Sequence, residues 1–310
     1  MSRTVIIYLI LFLAAINAQD WGRQSGSFFR MGMTARSLAM GGGFTAELDQ
    51  NFPVFHNPAW SAFLLRKHFG SSYTNLTLDR RLTSTSFSMA LPPTAGVGLA
   101  WVSGGVNKIQ GRYSTGMKSS EMQTGENAIM ITFAQRILPW LSLGANFKII
   151  RYDLPITDSD QVSGSGIGFD LGLLVKSGSN ISFGIMVQDI SSNYQWDTND
   201  IYAEGGPYKE EFPTIYRIGS RYYKKMLNVV GDIGLITDHD TYLSIQPRLG
   251  LEYGILEQYF IRGGYGNGKL AIGVGYRYGL FNYNDSHIDY AYSLDWASQP
   301  AHTISYAFNF

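Results

Sequence analysis

The run Ala301-His302-Thr303-Ile304-Ser305-Tyr306-Ala307-Phe308-Asn309-Phe310 limits the fold of this 310-residue chain more than any other stretch. Ile304, Tyr306, Phe308 and Phe310 share one face of an extended segment, and Thr303, Ser305, Ala307 and Asn309 share the other. A period of two is the mark of a strand, because successive side chains point to opposite faces. With one face aromatic and the other polar, such a strand is an aggregation hazard at a water-exposed edge. It suits a closed barrel in a membrane, where lipid covers the aromatic face and a neighbouring strand covers the edge. The alternative is the last strand of a soluble sandwich. The stretch favours the barrel, with Tyr306, Phe308 and Phe310 on the strand that closes it.

The same alternation recurs upstream. From residue 68 onward the chain divides into segments near 68–75, 83–91, 96–104, 127–136, 141–151, 165–176, 181–190, 214–223, 227–236, 245–254, 258–265, 269–278, 287–294 and 301–310. These predict an all-β, antiparallel up-and-down transmembrane barrel of about 14 strands, each near the ~10 residues that cross a bilayer. In one of them Leu141, Leu143, Phe147 and Ile149 oppose Ser142, Gly144, Asn146 and Lys148. A one-residue slip would put Lys148 into hydrocarbon, at a cost of about 2–4 kcal/mol near the midplane. Connections alternate as well: 92–95, 177–180 and 224–226 are short, whereas 105–126, 152–164 and 191–213 are long and polar. Short turns on the periplasmic side and long loops outside are the barrel rule.

Composition agrees. Charged residues make up 15% of the chain, against roughly 25% in soluble domains. Formal net charge is zero, which gives no basis for a nucleic-acid partner. Cysteine is absent, so disulfides and thiolate metal sites are excluded. None of the five histidines has a metal-binding spacing, and no cofactor motif or nucleophile elbow is present. The chain reads as a non-enzyme.

Residues 1–18, with Arg3 ahead of an apolar core from Val5 to Ala15, predict a signal peptide. Residues 19–66 then form an N-terminal plug, and 67–310 the outer-membrane barrel. The plug carries an unusual run from Phe29 to Ala46 that includes Arg30, Gly32, Arg36, Met40, Gly41, Gly42 and Gly43. Three glycines in a row permit close backbone approach to a wall. Asn57-Pro58-Ala59 follows, with Asn57 placed to cap a short helix and Pro58 at its first position. Inward positions on the strands bear both signs of charge, among them Lys148, Asp170, Arg217, Arg221, Asp232, Arg248, Glu252, Arg262, Arg277 and Asp289. They are expected to pair with one another and with Arg30 and Arg36 of the plug.

The pattern Gly32-x-x-Ala35-Arg36-x-x-Ala39-Met40-Gly41, then Phe44-x-Ala46, an acidic pair and Asn57-Pro58-Ala59, resembles the opening of the PorV/PorQ family. Here Glu47-Leu48-Asp49 replaces two adjacent aspartates, and His56 stands where an aromatic residue commonly precedes Asn-Pro-Ala. The resemblance covers about residues 28 to 64. It implies a barrel like that of the FadL-type transporters, and a type IX secretion-associated role in receiving or presenting cargo at the cell surface. Partners would be outer-membrane lipid and secretion-system proteins or secreted cargo. The latter would be met by Trp196, Tyr202, Tyr208 and Phe212 of the long outer loops. The alternative is a FadL-like channel for hydrophobic small molecules, with inward glycines such as Gly168, Gly172, Gly264, Gly273 and Gly275 lining a path or making room for the plug.

Overall fold

The computed structural model describes residues 24–49, 51–157, 160–199, 201, 203–238, 241–279, 284–294 and 300–310. The expected signal peptide lies outside the described residues, as does Tyr202. The strands are β1 (His68–Asn75), β2 (Arg80–Leu91), β3 (Ala95–Val106), β4 (Ile109–Arg112), β5 (Lys118–Met122), β6 (Gly125–Leu138), β7 (Leu141–Pro155), β8 (Gln161–Ser177), β9 (Ile181–Ile190), β10 (Asn193–Asp197), β11 (Pro207–Glu211), β12 (Thr214–Lys224), β13 (Leu227–Asp238), β14 (Thr241–Ile255), β15 (Tyr259–Gly266), β16 (Lys269–Gly279), β17 (Asp285–Leu294) and β18 (Ala301–Asn309). Fourteen of them close into an antiparallel barrel in the order β1-β2-β3-β6-β7-β8-β9-β12-β13-β14-β15-β16-β17-β18. All fourteen segments expected from the alternation are barrel strands. The long loops hold two further hairpins that periodicity missed, β4–β5 and β10–β11. Each of these strands is only four or five residues long, and β4, β5 and β11 are mostly polar without alternation. β10 does alternate, Tyr194 and Trp196 against Asn193, Gln195 and Asp197, but over too short a run to stand out.

Closure is made by β18 against β1, with Phe308 opposite Phe69 and Ile304 opposite Tyr73. Ile304 is 57% exposed on the outer face while Thr303 and Ser305 are buried inside. The same parity holds around the wall: Leu143 and Ile149 point out, and Ser142, Asn146 and Lys148 point in. An apolar belt surrounding a polar interior is solvated by acyl chains, so the barrel crosses the outer membrane with its strands. No helix among the described residues is long and apolar enough to cross.

Register shifts occur near the ends of two strand pairs, at Arg136/Leu138 between β6 and β7 and at Ile236/Thr237 between β13 and β14, and at a third seam where a strand also stops. Between β8 and β9 the register shifts, Phe169 facing Ile190 while Leu171 faces Val187. β9 stops there, with Asp189 and Ser191 both at positive φ. Above the shift β8 continues to Gln161, and among the described residues its strand partner on that side is β10, through Gln195 opposite Ser165. The extracellular half of the wall is therefore interrupted at this seam and covered by the β10–β11 hairpin.

Candidate functional site

The plug fills the periplasmic half of the lumen and sends its first turn, Ser27–Arg30, up to the outer hairpin, where Phe28 packs with Trp196 and Phe212; its small residues explain how it fits. Thr34 caps the one-turn helix Ala35–Ala39, accepting from the Ser37 backbone N–H at 3.3 Å. The Ala35 N–H donates to Ser305 Oγ on β18 at 2.7 Å, and Ser84 Oγ donates to the Met33 carbonyl at 2.6 Å. Met40 is fully buried with Phe44 and Val230. The backbone then runs against the wall: a Cβ on Gly41 would lie 2.3 Å from the Tyr265 carbonyl oxygen, and one on Gly264 would lie 2.4 Å from the Gly41 nitrogen. Gly41 and Gly42 also have positive φ, whereas Gly43 has room for a side chain. Two of the three consecutive glycines are thus required by conformation, and Gly41 by contact as well.

Asn57 caps the 3-10 helix Pro58–Phe63 as expected, accepting from the Ala59 N–H at 3.1 Å. Its amide donates to the Thr45 carbonyl at 2.7 Å and to the Leu173 carbonyl at 3.2 Å. Pro58 and Ala59 press on the inward faces of Gly172 and Gly144. Gly172, Gly264 and Gly273 therefore make room for the plug, while Gly168 makes room for Ser192. His56 keeps an aromatic role, its ring 5.0 Å from that of Phe44 and 6.1 Å from that of Trp60.

Charge ties the plug down. Arg36 grips Glu252 with two nitrogens, at 2.8 and 2.7 Å, and also meets Asp49 at 3.1 Å and Glu47 at 3.4 Å. The acidic pair of the sequence motif thus clamps the arginine of the same motif. Arg262 joins Glu252 and Asp289, both at 2.6 Å, and Arg221 meets Glu47 at 2.8 Å. Asp232 accepts from the Thr45 hydroxyl at 2.6 Å and its N–H at 3.1 Å. Lys148 bridges Asp170 and Asp189 at the seam in the wall. Asp189 and Glu47 were not anticipated as ion-pair partners: parity along β9 puts Asp189 with the outward Ile181, Phe183 and Ile185, and its positive φ breaks that parity and turns it inward, while Glu47 belongs to the plug. Arg277 lies half exposed, 3.9 Å from Asp285, rather than inside.

Arg30 does not pair with an acid as expected. Its terminal nitrogens donate to the backbone carbonyls of Ser25 and Gln24, at 3.0 and 2.6 Å, because the 3-10 turn Ser27–Arg30 folds the chain back on itself. Between the plug and the wall, on the extracellular side, lies a cavity of about 380 Å³. Phe29, Met31, Met33, Leu38, Phe55 and Leu76 line it together with Arg30, Arg217 and Arg248. A second pocket of about 20 Å³ shares Phe29, Arg30, Met33, Phe55, Gln188 and Arg217 with it and is lined also by Lys148, Asp170 and Asp189, beside the seam between β8 and β9.

Two of the expected loop contacts are not on the surface. Trp196 is only 9% exposed and Phe212 only 5%. The β10–β11 hairpin turns its aromatic face into the lumen, where Tyr194, Trp196 and Phe212 pack with Phe28 and Tyr152. Trp196 rests on Gly164, and its indole N–H donates to Glu210 at 3.0 Å. Tyr208 does face outward.

No family model matches the sequence, and no curated protein does either. The fold has solved counterparts. It is similar to the toluene transporter TbuX of Ralstonia pickettii (TM-score 0.62, 16% identity, 90% of this chain and 98% of that one). It is similar also to the CymD monoaromatic hydrocarbon channel (0.65, 14%, 90% and 98%). A FadL homologue of Pseudomonas aeruginosa matches with 0.61 and 11%, over 90% of this chain and 98% of that one. At these identities the likeness shows the fold: a FadL-like, plugged, 14-stranded outer-membrane barrel.

Proposed function

We propose that the protein is a non-enzymatic channel that takes up small molecules with a large apolar surface. The observation that carries this reading is the cavity on the extracellular side, with a second, small pocket next to it beside the interrupted seam between β8 and β9. Its volume is that of a small-ligand site. Below it the plug and its ion pairs close the direct route to the periplasm. A ligand reaching Lys148, Asp170 and Asp189 would instead leave sideways into lipid where the wall is discontinuous. The hydrocarbon transporters that share the fold support the reading.

The test is initial uptake of a dilute hydrophobic substrate by cells that rely on this protein for entry. Ala271 lines the cavity from β16, and Ala271→Trp would fill it. Uptake falling to background with a fully folded barrel is the expected result; unchanged uptake would remove the reading.

The secretion-associated role implied by the PorV/PorQ resemblance is the second reading. The ion-paired filling of the periplasmic half favours it, since a lumen closed there need not conduct. Its test is purification from the native outer membrane, where secretion-machinery proteins should be recovered with the barrel.

A further inference from the structure

The zero net charge of the chain conceals an imbalance along the barrel axis. In the outer loops acids outnumber bases, whereas the periplasmic rim is basic. At that rim Arg66 and Arg277 share Asp285, at 2.8 and 3.9 Å. The remaining cations of the rim are Lys67, Arg136, Lys176, Lys224 and Lys225, and the one exposed acid left to face them among the described residues is Glu257. Gln50 and the segment 280–283 add no charge by sequence. The four lysines are exposed, and none of the five cations forms an ion pair with a described residue.

Two of the lysines stand where the apolar belt ends. Lys67 shares the outward parity of Phe69, and its ammonium lies 5.8 Å from the centre of the Phe310 ring, itself 43% exposed on the outer face. Lys224 extends the outward row of Tyr216, Ile218 and Tyr222 beyond the last aromatic ring. Trp140 and Leu256, on other turns of the same rim, are exposed as well and suit the interfacial layer. A lysine in this position lays its stem along apolar wall and carries its charge among lipid headgroups.

We infer that the periplasmic rim is a basic collar that selects anionic phospholipids in the leaflet facing the periplasm. Lys67 and Lys224 meet the uncompensated headgroup charge, and the acyl chains lie on the aromatic rows beside them. A soluble anion would use the charge of the rim and none of its apolar margin. A zwitterionic lipid would use the margin and leave the charge unanswered. The inference goes beyond the uptake reading and stands without it.

The experiment is native mass spectrometry of the purified full chain in a neutral detergent, after incubation with equal amounts of dioleoylphosphatidylglycerol and dioleoylphosphatidylcholine. The anionic lipid should be retained over the zwitterionic one by about fivefold or more, the factor expected from a single lysine near an anionic surface. Lys67→Gln combined with Lys224→Gln should remove most of that preference. Arg112→Gln combined with Lys118→Gln, on the extracellular β4–β5 hairpin, should leave it unchanged. Lys176→Gln combined with Lys225→Gln serves as a second pair should the first fail to fold, and is expected to lower the preference. Equal retention of the two lipids by the unaltered protein would overturn the inference. Loss of the preference in the extracellular pair alone would also overturn it, by placing the anion site at the other end. So would displacement of the anionic lipid by an equal concentration of sn-glycerol 3-phosphate, which would show a soluble-anion site with no use for the apolar margin.

Discussion

Arg36 of the plug and Glu252 of β14 meet through two parallel hydrogen bonds of 2.8 and 2.7 Å, 216 residues apart in sequence. The fork of a guanidinium matches a carboxylate in this way and fixes orientation as well as distance. Glu47 and Asp49 reach the same arginine from within the plug, and Arg262 reaches the same glutamate from the wall. Removing Arg36 would leave several carboxylates together in a closed space. Arg36→Met is expected to cost about 3–5 kcal/mol of plug docking, as for one lost partner of a buried pair. Limited proteolysis of the detergent-solubilised barrel should then cleave within residues 24–66 while the strands stay intact. Arg36→Lys should recover only part of the loss, because an ammonium cannot reproduce the two-point contact.

Gly263 and Gly264 are neighbours on β15 with opposite requirements. A Cβ on Gly264 would meet the backbone of Met40 and Gly41 at 2.4 Å, and neither can move without undocking the plug. A Cβ on Gly263 has nothing within 4 Å. Gly264→Val is expected to destabilise by about 1–3 kcal/mol or more, the usual cost of overpacking. Gly263→Val should fold like the parent. Thermal unfolding followed by electrophoretic mobility separates the two.

Much of this was legible in the sequence, for a physical reason. A strand with lipid on one side and a polar lumen on the other must alternate, so all fourteen barrel strands could be read from residue type alone. The C-terminal strand and the Leu141–Ile149 segment show this best. The plug motif was legible too, since Gly41, Arg36 and Asn57 each meet a demand of backbone or charge that few residues satisfy. What stayed hidden were features made by tertiary contact. Trp196 and Phe212 sit in a polar loop and look like exposed anchors; only the fold of β10–β11 shows them turned inward. Arg30 looked like a partner for an acid, and the 3-10 turn before it supplied carbonyls instead. The seam at Phe169 and Leu171 has no sequence signature beyond ordinary strand residues.

Val274 lies at the middle of β16, 54% exposed on the outer face, between Ile261 and Tyr290 of the adjoining strands. If that face touches acyl chains, Val274→Lys should cost about 2–4 kcal/mol, the penalty for a lysine near the bilayer midplane. Val274→Leu should be neutral. The measurement is reversible unfolding in lipid vesicles. A lysine variant as stable as the parent would mean that this face meets water.

The inward-turned hairpin makes a last prediction possible. Trp196 packs with Tyr152 and Tyr194, at ring separations of 5.7 and 5.5 Å, and rests on Gly164 of β8. β10 touches the wall through one backbone pairing, so these side chains, with Phe212, are most of what holds the hairpin in the lumen. Trp196→Ala removes a large buried ring, a change that costs about 3–5 kcal/mol where the surroundings cannot collapse. The loss should be local, because the fourteen-strand ladder does not run through β10. Hydrogen exchange and proteolysis should become fast between residues 191 and 213 while β8, β9 and β12 remain protected. With the cover loosened, the seam above Phe169 opens to the extracellular side, and hydrophobic uptake should rise rather than fall. A variant whose whole barrel unfolds with the hairpin would show instead that β10 is part of the wall.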